Sequence, residues 1–300
     1  MRTTIEQPKT PKSLKFLYCN VFGLPILRLM TARWVSKLAG AYLDSRLSRR
    51  KIKKYIKKHA IDMSDYIEED YQSFNAFFTR RIKSERRPFA RESEALVAPC
   101  DGKLTAYPIE EGLRFRVKGF DYSVETLLRN AELAKEFQGG VCLVFRLTVT
   151  DYHRYFFFDD GTASGNTFIK GRLHTVQPAA LEKRRVFTEN CREYTVLETE
   201  HFGKAVQVEV GAMMVGRIVN AVKSGEFRRG QEKGYFEFGG STVILLLKSG
   251  AAELDGEFFA NTQKGLETLV RCGERIGTAL CSENPGGGDT VLGVFPPAAE

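Results

Sequence analysis

Short, β-branched apolar runs fill the chain from about Ser73 onward, and this pattern leaves few choices of fold. Gly and Asp residues separate the runs, as in strands that turn back on their neighbours. The segment 124–137 is an exception, because Leu127, Leu128 and Leu133 predict a helix there. We therefore predict an α+β fold in which a mainly antiparallel β region follows a helical, basic N-terminal region. Strands are expected at residues 141–150, 206–210, 213–219 and 242–247.

Positive charge is concentrated in the first sixty residues, where 15 Lys or Arg and 2 Asp or Glu give a net charge of +13. The whole chain carries +8, so residues 61–300 carry −5. The segment 49–58 reads RRKIKKYIKK and places Ile52, Tyr55 and Ile56 on one face of a predicted helix. Such a helix binds an anionic surface, or else packs on the protein with a solvated lysine face.

A second amphipathic stretch lies just upstream. Its shared face contains Met30, Trp34, Leu38 and Ala41, with Arg33 and Lys37 at the border. Tryptophan favours the headgroup boundary of a bilayer. We therefore predict a membrane-surface region over residues 1–72, with an anionic phospholipid membrane as its partner. Nucleic acid is a rival anion, but the segment lacks the spacing of nucleic-acid-binding motifs, so we expect no such partner.

Neither a secretory signal nor a membrane-spanning segment is predicted. The most apolar early stretch, 16–27, contains Gly23 and Pro25 and ends at Arg28, so it is shorter than the ~20 apolar residues that a spanning helix needs. The six cysteines are scattered without a Cys-x-x-Cys pair, which favours reduced thiols over a metal site or a disulfide framework. We expect a protein held peripherally on the cytoplasmic face of the cell membrane, with a loose, turn-rich tail over residues 282–300.

Three polar residues beside predicted strands are candidates for chemistry: Asp101 in APCDG, His153 in TDYHRY and Ser241 in FEFGGSTVILLL. Each also has an ordinary structural explanation. Asp-Gly is a common turn pair, a lone histidine is more often structural than catalytic, and a Gly-Gly-Ser-Thr turn satisfies backbone groups. Ser241 stands out because flexible glycines precede its hydroxyl at the mouth of a buried strand. The sequence has no motif of nucleotide-binding loops, zinc proteases or G-x-S-x-G hydrolases.

Together these segments resemble the phosphatidylserine decarboxylases, whose pattern includes a VxPxDG-like segment, a DYHR segment and a Gly-Ser-Thr self-cleavage site. Here they stand as VAPCDG at 97–102, DYHR at 151–154 and GST at 240–242. The resemblance covers most of the chain and includes SFNAFFTRRIK, VKGFDYSVETLL, VGAMMVGRIV and NTQKGLETLVRCGERIG. It implies cleavage between Gly240 and Ser241, conversion of Ser241 into a covalent pyruvoyl cofactor, and activation by Asp101 and His153.

The resemblance also implies a substrate and an assembly. The β-rich catalytic domain, over residues 73–300, is expected to decarboxylate phosphatidylserine to phosphatidylethanolamine without a metal. Its two cleavage fragments should remain associated, and a homodimer is one assembly open to it. Two residues depart from the family pattern: Phe156 replaces a second histidine that many members have, and Gly239 replaces the usual Leu. The first departure leaves open whether His153 serves both reactions or whether His174 helps.

Two other functions stay open from the residues alone. A Ser-His-Asp hydrolase would use Asp101, His153 and Ser241 but would keep its main chain uncut. A non-catalytic binder of anionic membranes would use the Gly-Ser turn only as structure.

Overall fold

Helices fill the first part of the chain and strands most of the rest, which confirms the α+β class. The computed structural model describes residues 2–6, 11–117, 119–213 and 217–280, and only the backbone of residues 178 and 179. The helices are α1 Lys12–Cys19, α2 Gly23–Met30, α3 Arg33–Asp44, α4 Lys51–His59, α5 Phe74–Phe78, α6 Val124–Leu128, α7 Ala131–Lys135, α8 Pro178–Leu181, α9 Val186–Glu189 and α10 Glu257–Gln263. The basic segment 49–58 is helical as predicted, with a 3-10 turn, Arg46–Arg50, leading into α4.

Strands account for most of the chain after α5. They are β1 Thr4–Ile5, β2 Ala95–Val97, β3 Gly102–Pro108, β4 Arg114–Val117, β5 Phe120–Ser123, β6 Val141–Leu147, β7 Arg154–Phe156, β8 Gly161–Ala163, β9 Thr167–Ile169, β10 Arg192–Thr199, β11 Gly203–Gly211, β12 Ile218–Asn220, β13 Gly225–Phe227, β14 Glu232–Phe236, β15 Ser241–Leu247, β16 Ala252–Leu254, β17 Glu267–Val270 and β18 Arg275–Ala279. The predicted strand regions 141–150, 206–210 and 242–247 coincide with β6, β11 and β15.

The largest sheet runs in the order β1-β17-β3-β6-β15-β11-β10-β8-β13, with β9 beside β10. Smaller sheets are β12-β14-β7, β16-β18-β2 and β4-β5. Every pairing between the described strands is antiparallel, as predicted. The central strand β15 is buried along its whole length, which explains its nearly continuous apolar sequence.

A second apolar cluster joins the N-terminal helices to the β region. Its buried members are Leu43, Ile52, Phe74, Phe77 and Phe78, from α3, α4 and α5. Phe238 packs against them from the segment that leads into β15. The predicted apolar face of α4 therefore packs on the protein, since Tyr55 and Ile56 also join this cluster. The domain boundary after residue 72 stays a prediction.

Three sequence-based element assignments need correction. The single helix predicted over 124–137 is two short helices, because Arg129 takes a left-handed conformation with φ 50° and the Asn130 side chain caps α7. Strand β6 ends at Leu147, three residues earlier than predicted, where a turn closed by Asp151 begins. The N-terminal region is not wholly helical, since β1 pairs with β17.

No single helix among the described residues is long and apolar enough to cross a membrane. Helices α1 and α2, which meet at 98°, reach the length and apolar composition of a membrane span only when they are taken together. Of the six cysteines, Cys281 lies outside the described residues. The other five are free thiols. The predicted tail over 282–300 and part of the predicted strand 213–219 also lie outside the described residues, and β12 covers the end of the latter.

Candidate active site

Ser241, the candidate for self-cleavage, is the first residue of β15 and lies at one end of the large sheet. It stands opposite Leu147, the last residue of β6, and opposite Gly211, the last residue of β11. Beyond β6, strand β3 begins at Gly102, directly after Asp101. In an antiparallel pair, one strand begins beside the residue at which its neighbour ends. Asp101, the loop after Leu147 and Ser241 therefore share one end of the sheet.

The Ser241 side chain is 0% exposed, and its Oγ has no hydrogen-bond partner among the described residues. The same holds for the buried Thr242 Oγ1 within the described ranges. Buried polar groups are normally paired, so two adjacent unpaired hydroxyls need an explanation. Just upstream, Gly239 has a φ of +143°, a conformation that L side chains rarely adopt. The local backbone therefore gives a physical reason for glycine at position 239.

The helix α5 holds the main chain that leads into Ser241. Asn75 Oδ1 accepts a hydrogen bond from the Phe238 N–H at 3.1 Å, and Asn75 Nδ2 donates to Asp44 Oδ1 at 2.8 Å. The Phe238 ring packs edge-on against Phe78, with centroids 5.1 Å apart. Asn75, in the SFNAFF segment, thus links α3 and α5 to the backbone three residues before the cleavage candidate.

His153 lies in the loop between β6 and β7, and its carbonyl accepts a hydrogen bond from the Phe236 N–H at 3.0 Å. Its Nδ1 is 2.8 Å from the Asp151 carbonyl oxygen. Because a carbonyl oxygen only accepts, Nδ1 carries the proton. Burial lowers the pKa of His153 from 6.5 to about 4, so the ring is neutral at neutral pH. The other nitrogen, Nε2, therefore has a free lone pair, and it is buried without a hydrogen-bond partner among the described residues.

His153 and Ser241 are tied to the same end of the sheet from two sides. His153 follows six residues after Leu147, which stands opposite Ser241. Phe236, which hydrogen-bonds to His153, precedes Ser241 by five residues. The ring centroids of Phe78 and His153 are 4.3 Å apart, so His153 contacts the apolar cluster that also includes Phe238 of the cleavage segment.

Asp151 and Lys103 hold the His153 loop in place. Lys103 Nζ contacts the Asp151 carboxylate at 2.6 and 2.8 Å. That carboxylate also accepts hydrogen bonds from the Thr148 N–H at 2.6 Å and from the Thr148 hydroxyl at 2.9 Å. These contacts fix the position of the Asp151 carbonyl, which accepts the hydrogen bond from His153 Nδ1. Sequence reasoning gave Lys103 no role, although a lysine inside a buried strand, directly after Asp-Gly, was a usable signal.

Asp101 makes a different set of contacts from the one expected. Its carboxylate accepts hydrogen bonds from Arg87 Nε at 2.8 Å, from Arg87 Nη2 at 2.6 Å and from the Cys272 N–H at 2.9 Å. His153 Nδ1 donates to the main chain of Asp151, so that nitrogen does not contact the Asp101 carboxylate. The participation of Asp101 in activation stays a prediction.

Phe156 and His174, the other two residues that the sequence resemblance raised, lie in separate environments. Phe156 packs edge-on against Phe89, with ring centroids 5.9 Å apart. His174 Nδ1 is 3.2 Å from the Tyr18 hydroxyl, and His174 Nε2 is 3.4 Å from the Glu189 carboxylate. Both nitrogens of His174 thus have partners away from β15, so these contacts give no support for a helping role.

Comparison with known proteins fits this site. The family model described as phosphatidylserine decarboxylase matches residues 74–278. A phosphatidylserine decarboxylase proenzyme 2 of Clostridium acetobutylicum is 44% identical over 266 residues, which cover 88% of this chain and 91% of the relative. A phosphatidylserine decarboxylase proenzyme of Clostridium novyi is 41% identical over 282 residues, covering 92% and 96%. The relative from Ruminiclostridium cellulolyticum, with the same name, is 39% identical over 282 residues, covering 92% and 94%. The chain therefore belongs to the phosphatidylserine decarboxylases, a family of enzymes described as proenzymes.

Proposed function

We propose that this protein cuts its own main chain between Gly240 and Ser241, converts Ser241 into a pyruvoyl group and decarboxylates phosphatidylserine to phosphatidylethanolamine. The observation that carries the proposal is the presence of two buried, unpaired groups at one end of the sheet, the Ser241 hydroxyl and His153 Nε2, as judged within the described residues. Leaving a buried polar group unpaired costs about 1–3 kcal/mol. A chemical use accounts for that cost better than a structural one does.

The first step transfers the Gly240 acyl group from nitrogen to oxygen. Ser241 Oγ adds to the Gly240 carbonyl carbon while His153 Nε2 takes the hydroxyl proton. The C–N bond then breaks, and the proton passes from His153 to the departing Ser241 nitrogen. The product is an ester between Gly240 and the Ser241 side chain, with no atom gained or lost.

The second step separates the two fragments. Residue 241 loses its α-proton to a base, and we assign this role to His153, whose Nε2 is free again after the first step. The ester bond to the Ser241 β-carbon breaks, and Gly240 leaves as a carboxylate. Residue 241 is then a dehydroalanine. Addition of one water and loss of ammonia give a pyruvoyl group at the start of fragment 241–300.

The surroundings of Ser241 fit a pyruvoyl group. Gly211 stands directly opposite and has no Cβ, so no side chain from β11 lies against residue 241 at this position, which Leu173 and the Cys191 carbonyl oxygen otherwise pack closely. The buried Thr242 hydroxyl has no partner among the described residues and can donate to a bound carbonyl or carboxylate. When present, a pyruvoyl group supplies an electrophilic carbonyl that accepts the electrons released as carbon dioxide leaves. His153 Nε2, which has a free lone pair, could take a proton from the substrate ammonium group and return it to the carbon that loses its carboxylate.

The two rival functions fit these contacts less well. A Ser-His-Asp hydrolase needs a carboxylate on His153 Nδ1, but that nitrogen donates to the Asp151 carbonyl. A non-catalytic binder gives no reason for an unpaired hydroxyl in a buried strand.

We also propose that the N-terminal helices bind an anionic bilayer from its cytoplasmic side. Large apolar side chains on and between α1, α2 and α3 are exposed, including Phe22 at 80%, Trp34 at 56% and Leu38 at 63%. Exposed apolar surface of this kind marks an interaction site, and the +13 net charge of the first sixty residues favours anionic lipid. A peripheral association follows, with apolar residues in the interface and lysines near the headgroups.

Denaturing electrophoresis with intact-mass measurement tests self-cleavage. We expect fragments 1–240 and 241–300, the second carrying a pyruvoyl group in place of its N-terminal serine. Ser241→Ala should give one full-length chain. Ser249→Ala, which alters an exposed serine eight residues further on, should keep both fragments. Active wild-type protein that remains uncut would refute the proposal.

Release of carbon dioxide from phosphatidylserine vesicles tests the substrate. Wild-type protein should release it, and both Ser241→Ala and wild type pretreated with hydroxylamine, which captures reactive carbonyls, should not. If soluble serine gave carbon dioxide while the vesicles gave none, self-cleavage would stand and the lipid substrate would be rejected.

A further inference from the structure

A cavity of about 490 Å³ lies between α3 and the end of the large sheet that carries Ser241. Arg33, Ser36 and Lys37 line it from α3, and their i, i+3, i+4 spacing places them on one helical face. The opposite wall includes Gly211, at the end of β11. The volume suits a small polar ligand. None of the three α3 residues has a part in the chemistry proposed above.

Gly211 connects this cavity to Ser241. The two residues are directly opposed in the antiparallel ladder, so their Cα atoms are about 5 Å apart and their side-chain positions share one face of the sheet. A Cβ at Gly211 would lie 3.3 Å from Leu173 Cδ2 and 3.8 Å from Ile218 Cδ1, and both residues line the cavity. Ser241 therefore faces the side of the sheet on which the cavity lies, and only a residue without a side chain fits at position 211, where Leu173, Ile218 and the Cys191 carbonyl oxygen pack closely.

The α3 wall has the chemistry of a phosphate site. Ser36 is 2% exposed, and its Oγ has no hydrogen-bond partner among the described residues. Within the described ranges, neither Arg33 nor Lys37 forms an ion pair. The Arg33 guanidinium lies 5.4 Å from the centre of the Phe168 ring, which holds it at the cavity wall. The buried Ser36 hydroxyl and the two cations can donate hydrogen bonds to phosphate oxygens.

The remaining charged residues of the cavity are mostly acidic. They are Asp44 at the end of α3, Glu193 on β10 and Glu237, which is paired with Arg217 at 2.7 Å. Asp44 lies about 16 Å along the helix from its first residue, because each residue rises about 1.5 Å. Glu237 precedes Ser241 by four residues. The cations lie at one end of α3, with Glu193 close to them because it stands opposite Phe168. Asp44, which Asn75 links to Phe238, and Glu237 lie towards the cleavage segment, where a ligand ammonium group would be favoured.

We propose that this cavity binds the phosphoserine headgroup of the membrane lipid, with its phosphate held by Arg33, Ser36 and Lys37 and its amine directed past Gly211 towards residue 241. This rests on the decarboxylase function proposed above and adds the residues that hold the substrate. The outward face of α3 carries the exposed Trp34 and Leu38, so the acyl chains can stay in the bilayer while the headgroup enters the protein.

Steady-state kinetics of the self-cleaved, full-length protein test the assignment. Phosphatidylserine is presented at varied mole fraction in neutral detergent micelles, which removes the attraction of a charged bilayer. We expect R33Q/K37Q to raise KM about tenfold to a hundredfold with kcat within about twofold, since hydrogen bonds to charged groups are worth that range. Ser36→Ala, a smaller change, should raise KM about fivefold. The control K223Q/K264Q removes two exposed charges that lie outside the N-terminal helices and outside this cavity, and should leave KM within about twofold.

Calorimetric titration of glycerophosphoserine into the uncut Ser241→Ala chain gives a readout that needs no catalysis. We expect binding that R33Q/K37Q weakens at least about tenfold and K223Q/K264Q does not. Inorganic phosphate at the same concentration should compete only weakly. The inference is overturned if K223Q/K264Q weakens binding as much as R33Q/K37Q does, if R33Q/K37Q binds like the parent, or if inorganic phosphate competes equally well. Wild type without fragments or carbon dioxide release would instead defeat the proposed function, whatever the titration shows.

Discussion

Replacing His153 by Gln should change the stability of the protein in a pH-dependent way. Burial lowers the pKa of the folded-state His153 to about 4, from the ordinary 6.5. Between those values the unfolded chain binds a proton on His153 that the folded chain does not, so the free energy of unfolding falls as the pH drops. At pH 5 the histidine is almost fully protonated in the unfolded chain and about one-tenth protonated in the folded chain. This difference lowers the free energy of unfolding by about 2 kcal/mol relative to high pH. At pH 7 the same contribution is only about 0.2 kcal/mol.

The assay compares two uncut chains, Ser241→Ala with and without His153→Gln, by urea unfolding at pH 7 and pH 5. Glutamine does not titrate, so every pH-dependent contribution common to both chains cancels in the comparison. Between pH 7 and pH 5, we expect the chain that keeps His153 to lose about 2 kcal/mol more unfolding free energy than the glutamine variant does. If the difference between the chains were the same at both pH values, folding would not lower the pKa of His153, and the claim that burial holds the ring neutral would be refuted.

Asn75→Ala removes both hydrogen bonds that link α3 to the segment before the cleavage bond, so self-cleavage in pulse-labelled samples should slow about tenfold, whereas Gln72→Ala at an exposed neighbouring position should not change it. An unchanged rate in both would contradict the anchoring role. Gly239→Leu in the uncut serine-to-alanine chain should lower the free energy of unfolding by about 1–3 kcal/mol in urea, because φ there is +143°. Equal stability would mean that the segment relaxes at no cost. Trp34→Ser with Leu38→Ser should weaken co-sedimentation with phosphatidylserine vesicles at least about tenfold and leave both fragments intact, since each side chain contributes about 1.5–3 kcal/mol when buried; unaltered binding would exclude α3 from the membrane face.

The β region was predictable because its pattern is local. Residues 242–247 form a short apolar run with β-branched residues after a Gly-Gly-Ser turn, which is typical of a strand covered on both faces, and β15 is such a strand. The amphipathic face of 49–58 was equally clear, and Ile52 is buried where that face predicts. The helix over 124–137 was mispredicted because its leucines continue the apolar pattern across Arg129, whereas the break there depends on a left-handed residue and the Asn130 cap.

The sequence predicted which residues lie together in the candidate site, but not which groups those residues contact. Asp101, His153 and Ser241 do lie at one end of the sheet. Which group supports the histidine depends on the turn after β6, and the Lys103 contact that fixes Asp151 joins residues 48 positions apart. No periodicity in the sequence reports such a pairing. The cavity beside α3 was hidden for the same reason, since Gly211 reads as an ordinary strand-end glycine until its partner in the ladder is known.

The position of the proposed cleavage bond, at the start of β15, would allow the chain to be cut and to keep its fold. Strand β15 pairs with β6 from Ser241 to Leu247 and with β11 over the same residues. A cut before Ser241 breaks the turn that enters the strand but none of these ladder pairings. The second fragment also contributes β17, which pairs with β3 and β1 from the first fragment. Because β15 is buried between two strands of the first fragment, release would expose its whole apolar length to water, so we infer that the new terminus stays where the serine stood. A cut inside the strand would lack this property, which favours the strand's first residue over any serine or threonine further along.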